Sequence, residues 1–265
     1  MRGLLFAKMP PARESNTSAS VQKPAFGEEP QGFCTVGRKA PLRFRHELKH
    51  VANEAEADML AQRLALVLPR DAHAGSWGRY RVTSLYFETP YDKALRQKLE
   101  GIDRREKFRL RYYGSDTSLV RLERKVKANG LCAKQSARLD AAQVRMLLSG
   151  SHRFLLDCGD PLCVELYAKM QGELLRPRVV VRYEREAFSS PHGNVRVTID
   201  RSLRTSLSAV DFLEPYAGRV PAADGRAVVE VKYDAYLPDV VRMAVQPLAR
   251  SAAAYSKYAL CRRFD

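Results

Sequence analysis

From Arg43 to Lys232 the chain repeatedly alternates charged with apolar residues, two positions to the period. Arg43, Arg45, Glu47 and Lys49 fall on one side of the first such segment, with Phe44 and Leu48 on the other. Lys107, Arg109 and Arg111 oppose Phe108, Leu110 and Tyr112, and Arg121, Glu123, Lys125 and Lys127 oppose Val120, Leu122 and Val126. Further on, Arg196, Thr198 and Asp200 oppose Val195, Val197 and Ile199, while Glu230 and Lys232 oppose Val229, Val231 and Tyr233. A β-strand sends successive side chains to opposite faces, so the period predicts strands with one apolar and one charged face.

One such strand alone reads as part of a sheet with one face in water. Together the strands say more. Their charged faces favour cations again and again, and like charges lined up across a sheet repel unless an anion lies among them. Isolated glutamates among those cations suit a polyanion accompanied by a divalent metal. A closed antiparallel barrel, charged inside and partly covered by helices outside, accounts for both features and would focus positive potential on an extended phosphate chain.

The whole composition points the same way. The 265 residues carry 45 Lys+Arg against 30 Asp+Glu, a net charge of +15, which predicts an anionic partner: nucleic acid, an anionic lipid surface or a phosphate-rich substrate. An apolar fraction of 45% excludes global disorder, and no apolar run approaches the length of a membrane-spanning helix. The five cysteines (Cys34, Cys132, Cys158, Cys163 and Cys261) show no zinc-ligand spacing and read as reduced thiols. The apolar stretch near the N-terminus is too short for a signal-peptide core, so the expected location is cytoplasmic.

Residues 1–40, rich in Pro, Ser, Gly and charge, read as a flexible N-terminal extension, and residues 41–265 as the folded body. Within the body, residues 53–68 predict a helix capped by Asn53, with Ala57, Leu60, Ala61 and Leu64 on the stripe that covers the barrel. Asp140–Leu148 predicts a second helix capped by Asp140, and Tyr167–Gly172 part of a short element. Tyr80–Phe87 and Val179–Phe188 complete the strands; Thr89–Leu99 reads as a short helix or loop, and Ala253–Cys261 as a strand or a helix. Hairpin turns are expected at Gly114–Thr117 and His192–Asn194, and Trp77 reads as a packing anchor. No Walker A or GxGxxG motif follows a strand.

Eight ordered segments resemble the polyphosphate polymerase domain of the vacuolar transporter chaperone type (VTC domain), in the triphosphate tunnel metalloenzyme superfamily. They are Phe44–His50, Ser84–Thr89, Lys107–Tyr113, Leu122–Lys125, Tyr183–Phe188, Val195–Asp200, Val229–Tyr233 and Tyr255–Tyr258, and the resemblance covers residues 41–264. It implies an α+β fold: an eight-stranded antiparallel β-barrel, the triphosphate tunnel, with helices packed outside. It also implies transfer of the terminal phosphoryl group of ATP to a growing polyphosphate chain, with Mn²⁺ or Mg²⁺ as cofactor. Carried over by position, the phosphate-binding residues are Lys49, Arg109, Arg111, Lys125, Lys134, Tyr183, Arg185, Arg196, Ser256 and Lys257. Glu230 matches the metal-binding glutamate, with Glu47 and Glu123 as weaker candidates. Ala254 stands where eukaryotic members carry another lysine, which removes one phosphate contact.

The residue types suit that chemistry. Phosphoryl transfer needs phosphates held in line and their charge neutralised, and arginine offers a planar, permanently charged fork to phosphate oxygens. Two other readings stand beside it. A CYTH-type triphosphatase or polyphosphatase shares the tunnel, but opens with Glu-x-Glu-x-Lys where this chain has Arg45-His46-Glu47-Leu48-Lys49. A non-catalytic module could hold polyphosphate or RNA. RNA is disfavoured because Phe44, Phe108 and Tyr112 fall opposite the cations instead of among them. The expected partners are therefore ATP and polyphosphate, with a membrane-protein partner as a route to any membrane.

Overall fold

The computed structural model describes residues 42–75, 77–206, 208–223, 225–246 and 255–264. The expected extension at 1–40, Cys34 and Ala254 lie outside the described residues. In chain order the strands are β1 (His46–Asn53), β2 (Tyr80–Glu88), β3 (Arg105–Tyr113), β4 (Asp116–Ala128), β5 (Leu131–Asp140), β6 (Arg176–Ser190), β7 (Val195–Ser206), the two-residue β8 (Val220–Pro221) and β9 (Arg226–Tyr233). The helices are α1 (Glu54–Val67), α2 (Lys93–Leu99), α3 (Ala141–Leu148), α4 (Pro161–Gly172), α5 (Asp239–Val245) and α6 (Lys257–Cys261).

The strands form one antiparallel sheet in the order β1-β9-β7-β6-β2-β3-β4-β5, with β8 attached to β7. The sheet curls until its two edges touch. Arg45, just before β1, and Cys132 of β5 exchange two backbone hydrogen bonds of 2.9 Å. Asp234 fastens the same end: Arg45 pairs with it at 3.1 Å, Arg43 also binds it, and Asn194 donates to it at 3.2 Å. The result is the barrel that the charge period predicts, closed at a single bridge.

The apolar strand faces point outward and are covered by helices. Phe108, Leu110, Tyr112, Val120 and Leu122 pack against Val144 and Leu147 of α3 and Leu162 and Leu166 of α4. Val197, Ile199, Val229 and Val231 pack under Ala57, Leu60, Ala61 and Leu64 of α1 and Val241 of α5. Helix α1 starts where expected, because Asn53 and Glu56 form a reciprocal capping box with two bonds of 2.8 Å. A third apolar group sits on the inward face, where Tyr258 and Cys261 of α6 meet Tyr86, Val181 and Tyr183.

Several local expectations change. The segment after Gly130 forms a full strand, β5, which the charge period did not identify; Asn129 and Gly130 both adopt positive φ (52° and 73°) and turn β4 into it. The first strand begins at His46, three residues later than read, although Arg45 still bridges to β5. Tyr167–Gly172 is the second half of a longer helix, α4, which Asp160 caps and Pro161 opens. The β3–β4 turn is the two residues Gly114-Ser115, and the ambiguous last segment resolves as helix α6. Trp77 is not a packing anchor: it is 90% exposed, at the rim of a groove of about 930 Å³ on the outer wall.

Candidate functional site

The inward strand faces bring three carboxylate-centred clusters into the lumen. Glu123 of β4, fully buried, holds the first. Arg109 on β3 meets it at 2.7 Å, Lys134 on β5 at 2.7 Å, and Arg111 at 3.7 Å. The arginines are further fixed by neutral donors and acceptors: Arg109 donates to Tyr86 Oη at 2.9 Å, and Arg111 to Ser84 Oγ at 2.9 Å and Tyr183 Oη at 3.1 Å. Burial alone would push the Glu123 carboxyl up, but Arg109, Arg111 and Lys134 outweigh it and hold the group well below the usual range.

The second cluster centres on Glu47 of β1. Both of its oxygens accept from Lys125 Nζ at 2.7 Å, with Lys49 at 3.2 Å and Lys232 at 3.8 Å. Burial works against this charge too, and the three lysines override it, so Glu47 stays ionised far into acid. Lys125 is lowered as well, which for an ammonium disfavours the charge. Its own burial and the nearby Lys49 lower it more than Glu47 can raise it.

In the third cluster Lys257, carried in by α6, lies 2.6 Å from Asp200 of β7 and 2.8 Å from Glu230 of β9. Arg185 of β6 grips Asp200 with two bonds of 2.6 and 2.7 Å, a fork-to-fork pair. Glu230 also meets Lys232 at 3.0 Å and Lys49 at 3.8 Å. Against the cost of burial, Lys232, Lys257 and Lys49 keep Glu230 well below the usual carboxylate range. Burial likewise opposes the charge on Lys257, and Asp200 and Glu230 reverse it, so this ammonium is raised.

Eleven of the sequence-predicted residues therefore meet in one lumen: Lys49, Arg109, Arg111, Lys125, Lys134, Tyr183, Arg185, Lys257, Glu47, Glu123 and Glu230. Two are placed differently. Arg196 turns to Asp71 and to Tyr80 Oη at 3.0 Å, with 37% of its side chain exposed. Ser256 spends its hydroxyl accepting from Ala259 N at 3.3 Å as the N-cap of α6. The lumen also holds residues that the resemblance did not carry over: Ser84, Tyr86, Lys107, Asp200 and Lys232. The signal for the last three was the charge period itself, since each shares a strand face with a residue already chosen.

Among the described residues no three His, Cys, Asp or Glu side chains gather as a metal cage. One feature nevertheless fits a hard cation. Thr198 is fully buried on β7, directly across from Glu230 in register, and its Oγ1 has no hydrogen-bond partner among the described residues. A single carboxylate with a neighbouring free hydroxyl suits a Mg²⁺- or Mn²⁺-like ion that brings its remaining ligands on phosphate and water.

The solved structures that match are distant. A candidate adenylate cyclase from Bacillus halodurans matches at 12% identity, with 84% of this chain and 99% of that chain covered and a TM-score of 0.49. The PH1819 protein of Pyrococcus horikoshii matches at 14% identity, 83% and 99% coverage and a TM-score of 0.44. PH1012 of the same organism gives 12% identity, 82% and 98% coverage and 0.40. A search of the curated proteins returns no similar sequence. The match that carries weight is a family model, the VTC domain, over residues 44–264, a span that includes every strand and all three carboxylate clusters. With that span filled by one antiparallel barrel whose lumen is lined with cations, the chain belongs to the VTC domain family.

Proposed function

We propose that this protein is an ATP-dependent polyphosphate polymerase, which passes the terminal phosphoryl group of ATP to a growing polyphosphate chain inside the tunnel. The observation that supports it best is the charge balance of the lumen. Among the described residues, the nine basic groups Lys49, Lys107, Arg109, Arg111, Lys125, Lys134, Arg185, Lys232 and Lys257 line the lumen, and their ion pairs there are with four carboxylates, Glu47, Glu123, Asp200 and Glu230. Such an excess of basic groups attracts a ligand of high negative charge, and a narrow barrel favours an extended one.

In this reading Arg109, Arg111 and Arg185 bind phosphate oxygens through the guanidinium donors that face the lumen. Their carboxylate and tyrosine partners keep the forks oriented before the ligand arrives. Lysines 49, 125, 134 and 257 neutralise the charge that spreads over the transferring group. Glu230 and Thr198 are the residues that would hold a Mn²⁺ or Mg²⁺ ion, which would add to the neutralisation of phosphate charge. We place the reaction in the cytoplasm, with a membrane protein as partner if it occurs at a membrane; no helix among the described residues is long and apolar enough to cross one.

Incubation with ATP and Mn²⁺ or Mg²⁺, followed by gel analysis of chain length and ³¹P spectroscopy, tests the proposal. A ladder of polyphosphate supports it, and Arg109→Ala or Glu230→Ala is expected to slow chain growth about a hundredfold. Orthophosphate released without chain growth would replace the polymerase with a hydrolase of the same tunnel. Binding of tripolyphosphate without turnover would leave a binding module.

A further inference from the structure

Lys107 stands apart from the other lumen cations. Each of the other basic groups in the three clusters has a carboxylate within 4 Å, whereas Lys107 has none among the described residues. Its ammonium instead lies over the ring of Tyr258, 4.3 Å from the centroid. Register places it level with Lys125 of β4 and, beyond that, Lys134 of β5, on the inward face, with Phe108 beside it turned outward into the core.

We propose that Lys107 is a phosphate contact of the tunnel held in reserve: it binds an oxygen of the phosphate chain and takes up a solvent proton as it does so. The inference rests on the proposed phosphate-tunnel function and adds a residue and a proton to it. Geometry supplies the reason. An ammonium with a carboxylate partner must exchange that partner for phosphate, but Lys107 has only an aromatic face to leave.

Its surroundings supply the proton. Burial, then Lys49 of β1, Arg105 of its own strand and Lys125 of β4 all disfavour its charge, and Glu88 of β2 opposes them only in part; its pKa falls to about 7. Tyr258 is the group that faces it from α6. From α2, Lys93 shares a small cleft with it but is committed to Glu173 at 2.8 Å, and Glu106 there is committed to Arg124 and Lys169. Near neutrality the side chain is thus part amine, and an arriving polyanion favours its ammonium form.

Calorimetric titration of the full chain with tripolyphosphate, in buffers of different ionisation enthalpy, measures both affinity and proton uptake. Lys107→Arg keeps the charge but cannot titrate, and Lys107→Met removes it. At pH 8 the wild type is expected to take up about one proton more than Lys107→Arg. Between pH 6 and pH 8 its affinity should fall about tenfold relative to that variant. Lys107→Met should bind more weakly than wild type at pH 6, and melting curves check that both variants fold. Equal proton uptake by wild type and Lys107→Arg, with unchanged affinity in Lys107→Met, overturns the assignment of Lys107. If Arg109→Ala then still weakens binding, the tunnel reading survives that result. Failure of the wild type to bind tripolyphosphate at any pH overturns the tunnel reading itself.

Discussion

Glu123 shows how single residues hold this lumen in shape. With its side chain fully buried and three cations around it, it is the counterion on which Arg109, Arg111 and Lys134 converge. Removing one partner of such a group leaves charges facing each other without compensation. Glu123→Gln, nearly the same shape, is therefore expected to lose about 3 to 5 kcal/mol of stability in denaturant unfolding. Tripolyphosphate should raise the melting temperature of this variant more than that of the wild type, because the ligand supplies the missing negative charge. If both gain equally, Glu123 is not standing where the anion does. At this scale much was legible in the sequence. The two-residue period put Glu123, Lys125, Arg109 and Arg111 on common faces. It could not say that Arg196 would turn to Asp71, or that Ser256 would cap a helix, because both depend on which neighbours the fold brings near.

Among the elements, α2 and α6 are joined by Glu88, at the end of β2. Its carboxylate accepts from the backbone N–H groups of Ala94 at 2.9 Å and Leu95 at 3.1 Å, so it serves the first turn of α2. Asp92, at the cap position, makes no side-chain cap bond there and pairs with Arg262 at 2.8 Å instead. Tyr258 Oη also donates to Glu88, and Arg262 donates to Tyr258 Oη at 3.0 Å. Glu88→Gln is expected to cost about 1 to 3 kcal/mol and to speed amide exchange in α2 and α6 together. Faster exchange in α2 alone would mean that α6 is held in the barrel by Lys257 and its carboxylates. Helix α1 was readable from Asn53 and its apolar stripe. Strand β5 was less so: apart from Leu139, the buried positions of its outward face are the small residues Ala133 and Ala137, which leave a faint apolar signal. The better clue was Asn129-Gly130, a dipeptide that readily takes the two positive φ values of a tight hairpin.

The whole molecule carries its acid sensitivity in the same carboxylates. Glu47, Glu123, Asp200 and Glu230 are all lowered in the folded protein, despite burial, by the cations around them. A group whose folded pKa is depressed contributes stability above its unfolded value and loses it as pH falls through the folded one. Stability should therefore hold level between about pH 5 and pH 6 and drop steeply below about pH 4, as protons reach the paired carboxylates. Unfolding by denaturant across pH 2 to 7, in dilute and in concentrated salt, measures the drop, and a flat profile would contradict the ion-paired lumen. The barrel itself was inferable from the charge period, since inward cations need an enclosed anion, whereas the point of closure was not. Nothing near Arg45 or Cys132 marks two backbones that will exchange hydrogen bonds.

The strand order also sets a sequence of events in time. β2 to β5 include two tight hairpins, β3–β4 and β4–β5, whose pairings are local and quick to form. β1, by contrast, has β9 as its ladder partner, and Lys49 finds Glu230 only after nearly the whole folded body lies between them. Bringing such distant segments together is the slow part of folding. The cation-lined channel is thus expected to be the last region of the molecule to form, with its lysines and arginines open to water until then.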